Sequence, residues 1–284
     1  MSSSIPEYTS QPFTVNGDYI PVPGDFNGSG ITDILWYKPG PGSDYIWSFN
    51  RDGTYDSRAF TVNGEYTPVT GDFNGSGRTD ILWYTPGLGA DYIWSFNEDG
   101  TYESEPFAVN GEYDAVTGDF NGSGRTDILW YTPGLGADYI WSFNEDGTYE
   151  SEPFTVNGEY DAVTGDFNGS GRTDILWYKP GPGADYIWSF NEDGTYESEP
   201  FTVNGEYTPI EGDFNGDFID DILWYKPGTD ADYIWSFNSD GTYESQPFTV
   251  NGVYEPVAGD FDGNFATDIL WYKPGTEADY LWSF

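Results

Sequence analysis

Gly71-Asp72-Phe73-Asn74-Gly75-Ser76-Gly77-Arg78-Thr79-Asp80-Ile81-Leu82-Trp83-Tyr84 returns every 47 residues, and that return decides the fold. Close copies begin at Gly24, Gly118 and Gly165, with variants at Gly212 (GDFNGDF) and Gly259 (GDFDGNF). Six copies without insertions fill the 284 residues, and a fixed period in this range is the signature of a repeat architecture. Around the quoted stretch, Pro68 to Phe73, Asp80 to Tyr84, Asp91 to Phe96 and Thr101 to Val109 read as four short strands. Asp99-Gly100 supplies the positive φ of a tight hairpin turn between the last two, and Asn110-Gly111 turns into the next unit. No stretch shows capped helical periodicity.

Four antiparallel strands per unit, six times over, predict an all-β fold, a six-bladed β-propeller in one domain over residues 1–284. The phase of the chain ends supports it. The last unit stops at Phe284, before its fourth strand, and Tyr8-Thr9-Ser10-Gln11-Pro12-Phe13-Thr14-Val15 matches Tyr243 to Val250. The N-terminal segment is therefore expected to complete the last blade and to clasp a ring that has no free sheet edge. Up-and-down topology puts the first–second and third–fourth connections at one end of each blade. The second–third connections and the Asn-Gly turns lie at the other end.

Formal net charge is -40, from 49 acidic and 9 basic residues, so nucleic acid is expected to be repelled and an anionic membrane is disfavoured without a bridging cation. There is no cysteine and no histidine, which excludes disulfides, zinc sites and Cys or His nucleophiles. Aromatic residues make up 20% of the chain, which argues against disorder and for a core of Tyr, Phe and Trp. No apolar run is long enough for a transmembrane segment, and no signal peptide is visible. Two tryptophans per unit are read as inter-blade packing, with sugar stacking by some of them as the sharper alternative.

The loop after the first strand places oxygen donors at alternating positions. Positions one, three, five and nine are Asp25, Asn27, Ser29 and Asp33; Asp72, Asn74, Ser76 and Asp80; Asp119, Asn121, Ser123 and Asp127; Asp166, Asn168, Ser170 and Asp174; Asp213, Asn215, Asp217 and Asp221; and Asp260, Asp262, Asn264 and Asp268. Position seven (Ile31, Arg78, Arg125, Arg172, Ile219, Ala266) offers a backbone carbonyl. Ca²⁺ takes six to eight such oxygens, so up to six ions, one per blade, are expected. The other reading is an Asx-type turn that caps its own amides. Position twelve is Trp, not the bidentate Glu of an EF-hand. Most loops carry two carboxylates, so affinities near 10⁻⁴–10⁻³ M, roughly those of extracellular modules, are expected, with tighter binding where Asp217 and Asp262 add a charge.

GDFNGSGRTDILWY resembles the FG-GAP/VCBS repeat, the calcium-loop blade of integrin α-chains and of many bacterial surface and secreted proteins. The resemblance covers essentially the whole chain. It departs at position five, where Ser29, Ser76, Ser123, Ser170 and Asn264 replace the frequent Asp, and in blade number, since integrin propellers have seven. It implies a calcium-stabilised interaction scaffold, secreted or at the cell surface, with no one ligand specified.

Function is then expected to be binding rather than catalysis. Candidate recognition loops run from Lys38 to Ser43, Thr85 to Ala90, Thr132 to Ala137, Lys179 to Ala184, Lys226 to Ala231 and Lys273 to Ala278. Tyr19, Tyr66, Tyr113, Tyr160, Tyr207 and Tyr254, beside the Asn-Gly turns, share that end. The partner is expected to be a glycan or a protein, and the chain a monomer. The alternatives are a ligand-free structural, designed or recently amplified scaffold, and, less favoured, a carboxylate glycosidase. Six near-identical copies oppose the unequal acid and base that a glycosidase needs.

Overall fold

The computed structural model describes residues 6–275 and 277–284, in which 24 strands form six four-stranded antiparallel sheets. These are the six blades of a β-propeller. After β1 (Thr9–Phe13), blade one is β2 (Ile20–Gly24), β3 (Asp33–Tyr37), β4 (Asp44–Phe49) and β5 (Tyr55–Phe60). Blade two is β6 (Thr67–Gly71), β7 (Asp80–Tyr84), β8 (Asp91–Phe96) and β9 (Tyr102–Phe107). Blades three to five repeat this order between Asp114 and Phe248. Blade six is β22 (Glu255–Gly259), β23 (Asp268–Tyr272) and β24 (Asp279–Ser283), and β1 is its fourth strand. Thr9 pairs with Ser283 and Phe13 with Asp279, so the expected pairing of the two chain ends is present. The chain divides into two compact units of three blades each. One holds residues 19–159, the other residues 6–18 with 160–284.

The sequence DILWY makes the second strand of every blade, and all five of its residues are buried. A strand buried on both faces needs such a continuous apolar run. Within the first unit, Leu35, Tyr37 and Val62 of blade one pack against Ile81, Trp83 and Phe96 of blade two. Tyr37 and Trp83 meet at a ring separation of 5.0 Å, and Tyr84 and Trp130 repeat the contact at 5.1 Å. The first tryptophan of each pair is thus core, as expected. The second (Trp94, Trp141, Trp282 among them) is only half-buried and stacks on a tyrosine, Tyr102, Tyr149 or Tyr8, at 4.2–4.3 Å.

Three expected boundaries are corrected. The first strand ends at Gly71 instead of Phe73, because Asp72 begins the loop and Phe73 turns inward to 3% exposure. The fourth strand is Tyr102–Phe107 instead of reaching Val109, and β1 stops at Phe13 instead of Val15. The cause is one side chain. Asp91, 1% exposed, accepts the Val109 N–H through Oδ2 (2.8 Å) and the Thr85 N–H through Oδ1 (2.8 Å). The carboxylate takes the amide that would otherwise extend the ladder. Asp44 and Asp279 do the same for Val62 and Val15. Tyr84 adds a second tie, donating its hydroxyl to the Gly111 carbonyl (2.7 Å) and accepting the Tyr113 N–H (3.0 Å).

Replacing Asp91 by Ala leaves two backbone amides without their acceptor, one of them buried. An unsatisfied buried donor costs about 1–3 kcal/mol, so urea unfolding of Asp91→Ala is expected to show a loss of that order. The exposed Glu103→Ala is expected to stay within about 0.5 kcal/mol of the parent. Equal stability of the two variants would contradict the role given to the Asp91 carboxylate.

Candidate functional sites: acidic loops and aromatic pockets

At one end of each blade the loop after the first strand folds around its leading aspartate. Asp25 accepts the N–H groups of Gly28 (2.7 Å), Ser29 (3.0 Å) and Gly30 (2.8 Å). Gly28 and Gly30 both sit at φ 75°, a conformation glycine adopts without strain. Asn27 accepts the Ser29 N–H through Oδ1 (2.8 Å) and donates Nδ2 to Asp33 (3.1 Å). Ser29, Ser76, Ser123 and Ser170 each take the amide of position seven. The loop is therefore a self-capping turn, and it gathers oxygen donors at the alternating positions read from the sequence.

Position nine is the unusual group. Asp33, Asp80, Asp127, Asp174, Asp221 and Asp268 are all fully buried. Burial first, and the nearby loop carboxylates after it, push five of them up to about 7 and Asp221 up to about 8. In blade six, Asp260, Asp262 and Asp268 bring carboxylate oxygens within 4.8 Å of one another. In blade five, Asp217 and Asp213 both raise Asp221. Position seven is one place where the copies differ. Arg78, Arg125 and Arg172 donate Nε to the carbonyls of Phe96, Phe143 and Phe190, while Ile31, Ile219 and Ala266 have no such arm. The loops are also tied blade to blade. Asp72 N–H donates to Thr126 Oγ1 (2.9 Å) and Thr126 N–H to the Asp72 carbonyl (2.9 Å).

Two further residues escaped the sequence reading. Phe218 and Phe265 replace the glycine at loop position six and keep its backbone conformation, at φ 66° and 76°, with 75% and 66% of each residue exposed. The loss of glycine there was the available signal.

The opposite end carries the aromatic pockets. Gly87 and Gly111 exchange backbone hydrogen bonds (2.7 and 3.2 Å), which fastens the second–third loop to the Asn-Gly turn. The expected recognition loops and turns therefore share one end of the blade, except that Thr276 lies outside the described residues. In blade two, beside the turn whose Gly64 carbonyl accepts the Gly40 N–H (2.7 Å), Tyr66, Trp83, Tyr92, Trp94, Tyr102 and Asn63 line a cavity of about 260 Å³. Tyr113, Trp130, Tyr139, Trp141, Tyr149 and Asn110 line one of the same volume in blade three. The blade-six cavity, about 290 Å³, takes Tyr8, just before β1, and Ser10 of β1 beside Tyr254, Trp271, Tyr280 and Trp282. The N-terminal strand thus finishes a pocket as well as a sheet. No charged side chain lines any of the three.

The FG-GAP-like repeat pattern matches residues 25–83, 72–130 and 119–177, just over half of the chain. The chain belongs to the FG-GAP-like repeat family. Among curated protein sequences nothing matches it. Among solved structures it is similar to an Agrocybe aegerita lectin that recognises non-reducing terminal N-acetylglucosamine, with TM-score 0.63, 18% identity, 89% of this chain and 74% of that one covered. It is also similar to TcdB2-TccC3 without its hypervariable C-terminal region, with TM-score 0.54 and 15% identity. There it covers 96% of this chain but only 14% of that one. At these identities the likeness is one of fold. Among the described residues no helix is long and apolar enough to cross a membrane.

The FG-GAP-like loops fit a hard cation by their donor chemistry. Each gathers carboxylate, amide or hydroxyl oxygens around a buried aspartate, and Asp174 Oδ1 is buried without a hydrogen-bond partner. Such an oxygen calls for an ion or a proton. Without metal it takes the proton. A carboxyl whose folded pKa lies near 7, above its unfolded value near 4, binds more protons folded than unfolded between those limits. Stability of the chelated protein is therefore expected to fall as pH rises from about 4 to 7, and Asp33→Asn with Asp80→Asn to flatten the slope. A melting temperature independent of pH across this window would contradict the six raised aspartates.

Proposed function

We propose that the chain is a non-catalytic binding module that recognises neutral glycans in its aromatic pockets, with Ca²⁺ in the acidic loops at the opposite end setting its stability. The observation that carries the glycan reading is the pocket itself. A cavity of about 260 Å³, walled by Tyr66, Trp83, Tyr92 and Trp94 with Asn63 and Ser104 as polar groups, suits one sugar ring. Aromatic faces cover the apolar face of such a ring, while a few polar groups fix its hydroxyls. The likeness to a lectin supports the reading at the level of fold. None of the lining residues is a carboxylate, which favours binding over glycosidase chemistry. Repetition suits multivalent capture, since linked weak sites gain through effective concentration. A monomer at a cell surface or secreted, where free calcium is abundant, suits loops of low affinity.

A glycan array of the whole chain, with and without calcium, tests this. Binding is expected, and Trp94→Ala with Trp141→Ala is expected to weaken it about tenfold, or about 1.4 kcal/mol. Arrays blank in both conditions would overturn the glycan reading. For the metal, an ion that binds only the folded loop stabilises by about 0.4–1.4 kcal/mol per site at one to ten times its Kd. Millimolar calcium is therefore expected to raise the melting temperature. Asparagine at Asp25, Asp72, Asp119, Asp166, Asp213 and Asp260 together is expected to abolish the rise. Identical melting curves of the parent in chelator and in calcium would reject metal in the loops.

A further inference from the structure

The residue that follows DILWY divides the blades into three kinds. In blades one and four it is lysine, and no acidic residue follows four positions on. There the Lys38 ammonium lies 6.0 Å from the centroid of the Tyr19 ring, and that of Lys179 lies 5.9 Å from Tyr160. In blades five and six the lysine has an acidic partner in its own loop: Lys226 pairs with Asp230 at 3.3 Å, and Lys273 with Glu277. In blades two and three the position is Thr85 or Thr132, and no cation accompanies Tyr66 or Tyr113. Those two tyrosines are walls of the described pockets. Each is preceded by an exposed glutamate, Glu65 or Glu112, whose carboxylate lies near Gly40 or Gly87 in the second–third loop of the preceding blade. Glu65 lies close enough to Tyr37 to raise its hydroxyl pKa after burial, and Glu112 acts likewise on Tyr84.

A tyrosine face within about 6 Å of an ammonium attracts it through the ring quadrupole, and more so when water is excluded. The chain's own lysines show that this tyrosine accepts a cation. In blades two and three the chain places no lysine at that position, so a cation on this tyrosine would be a ligand's. The pocket beside it has no charged lining to oppose one, and the chain carries a formal charge of -40, which draws cations and repels acidic sugars. We propose that the pockets of blades two and three take a glycan bearing a protonated amine, an amino sugar that is not N-acylated. The sugar ring lies against Trp94 or Trp141, and its ammonium meets the face of Tyr66 or Tyr113. This rests on the glycan reading above and narrows its ligand.

Calorimetry of the whole chain with two probes tests it: methyl glucosaminide below the pKa of its amine, and its N-acetylated counterpart at the same pH. The amine probe carries one charge and the N-acetyl probe none, so general attraction to the acidic protein is limited to that single charge. The amine is expected to bind at least about fivefold more tightly, and Thr85→Lys with Thr132→Lys to erase that preference. If the N-acetyl sugar binds as well or better, the amine proposal is overturned and the glycan reading stands. A preference that survives in the lysine variant would assign it to overall charge, and the proposal fails. If neither probe binds and the glycan array is blank, the glycan reading itself has failed and the proposal with it. Melting temperatures close to that of the parent would show the lysine variant folded, as the native lysines of blades one and four lead one to expect.

Discussion

A buried carboxylate at the head of each third strand holds one end of every blade together. Asp91 takes one amide from its own blade's second–third loop and one from the segment that runs into the next blade, and it does so at 1% exposure. Both amides would otherwise seek partners in the strand ladder or in water. By satisfying them, the carboxylate ends the fourth strand at Phe107 and sends Val109 into the core. That bend delivers Asn110, Gly111 and Tyr113 to the rim, where Tyr84 hydroxyl and the Gly87–Gly111 pair fasten them. The pocket walls are thus consequences of a structural hydrogen-bond system. A hydrogen bond to a charged acceptor in a low-dielectric setting is strong enough to serve this purpose.

The same residue type does the opposite at the other end. Asp80 is buried as deeply as Asp91, but its neighbours include Asp72, and burial with that repulsion pushes its pKa up to about 7. The two aspartates differ in what surrounds them. Asp91 receives two well-formed amide donors. Asp80 receives donors as well, Phe73 N–H at 3.2 Å, Asn74 Nδ2 at 3.4 Å and the Phe96 N–H among them, yet it shares its site with the Asp72 carboxylate. A charge that is poorly solvated by its own protein is a charge left for a proton or a cation. One end of the blade is therefore settled by its own chemistry, and the other depends on the solution.

Much of this is legible in the sequence. The 47-residue period, the DILWY strand and the match of Tyr8–Val15 to Tyr243–Val250 are all local patterns, and local patterns survive without coordinates. The acidic loop was legible because its alternating donors lie within nine residues. The Asp91 staple was not, since an aspartate at the start of a strand looks like a turn residue, and its second partner lies 18 residues away. The pocket was hidden for a related reason. Its walls come from four stretches of chain, between Thr61 and Ser104, whose side chains meet only after the strands pair. For blade six, Tyr8 and Ser10 join from the far end of the chain.

Repetition then gives the differences between copies their meaning. Where six copies share a backbone, a position that varies has been released from the framework. The second and third strands barely vary, and substitutions that change the chemistry appear at both blade ends: Thr85 against Lys38 at one, Phe218 against Gly77 at the other. Phe218 and Phe265 keep a conformation that favours glycine, while their rings face solvent. A strained backbone with an exposed aromatic ring gains little from packing to offset it, and such strain persists only where the surrounding structure over-determines it. Here the over-determination is visible, because the Asp213 and Asp260 carboxylates accept the very amides of Phe218 and Phe265, at 2.8 and 2.9 Å. The leading aspartate fixes the loop's path so firmly that the side chain at position six is free to change. A framework carried by buried aspartates and tyrosines lets each blade alter what it presents at either end without altering how it folds.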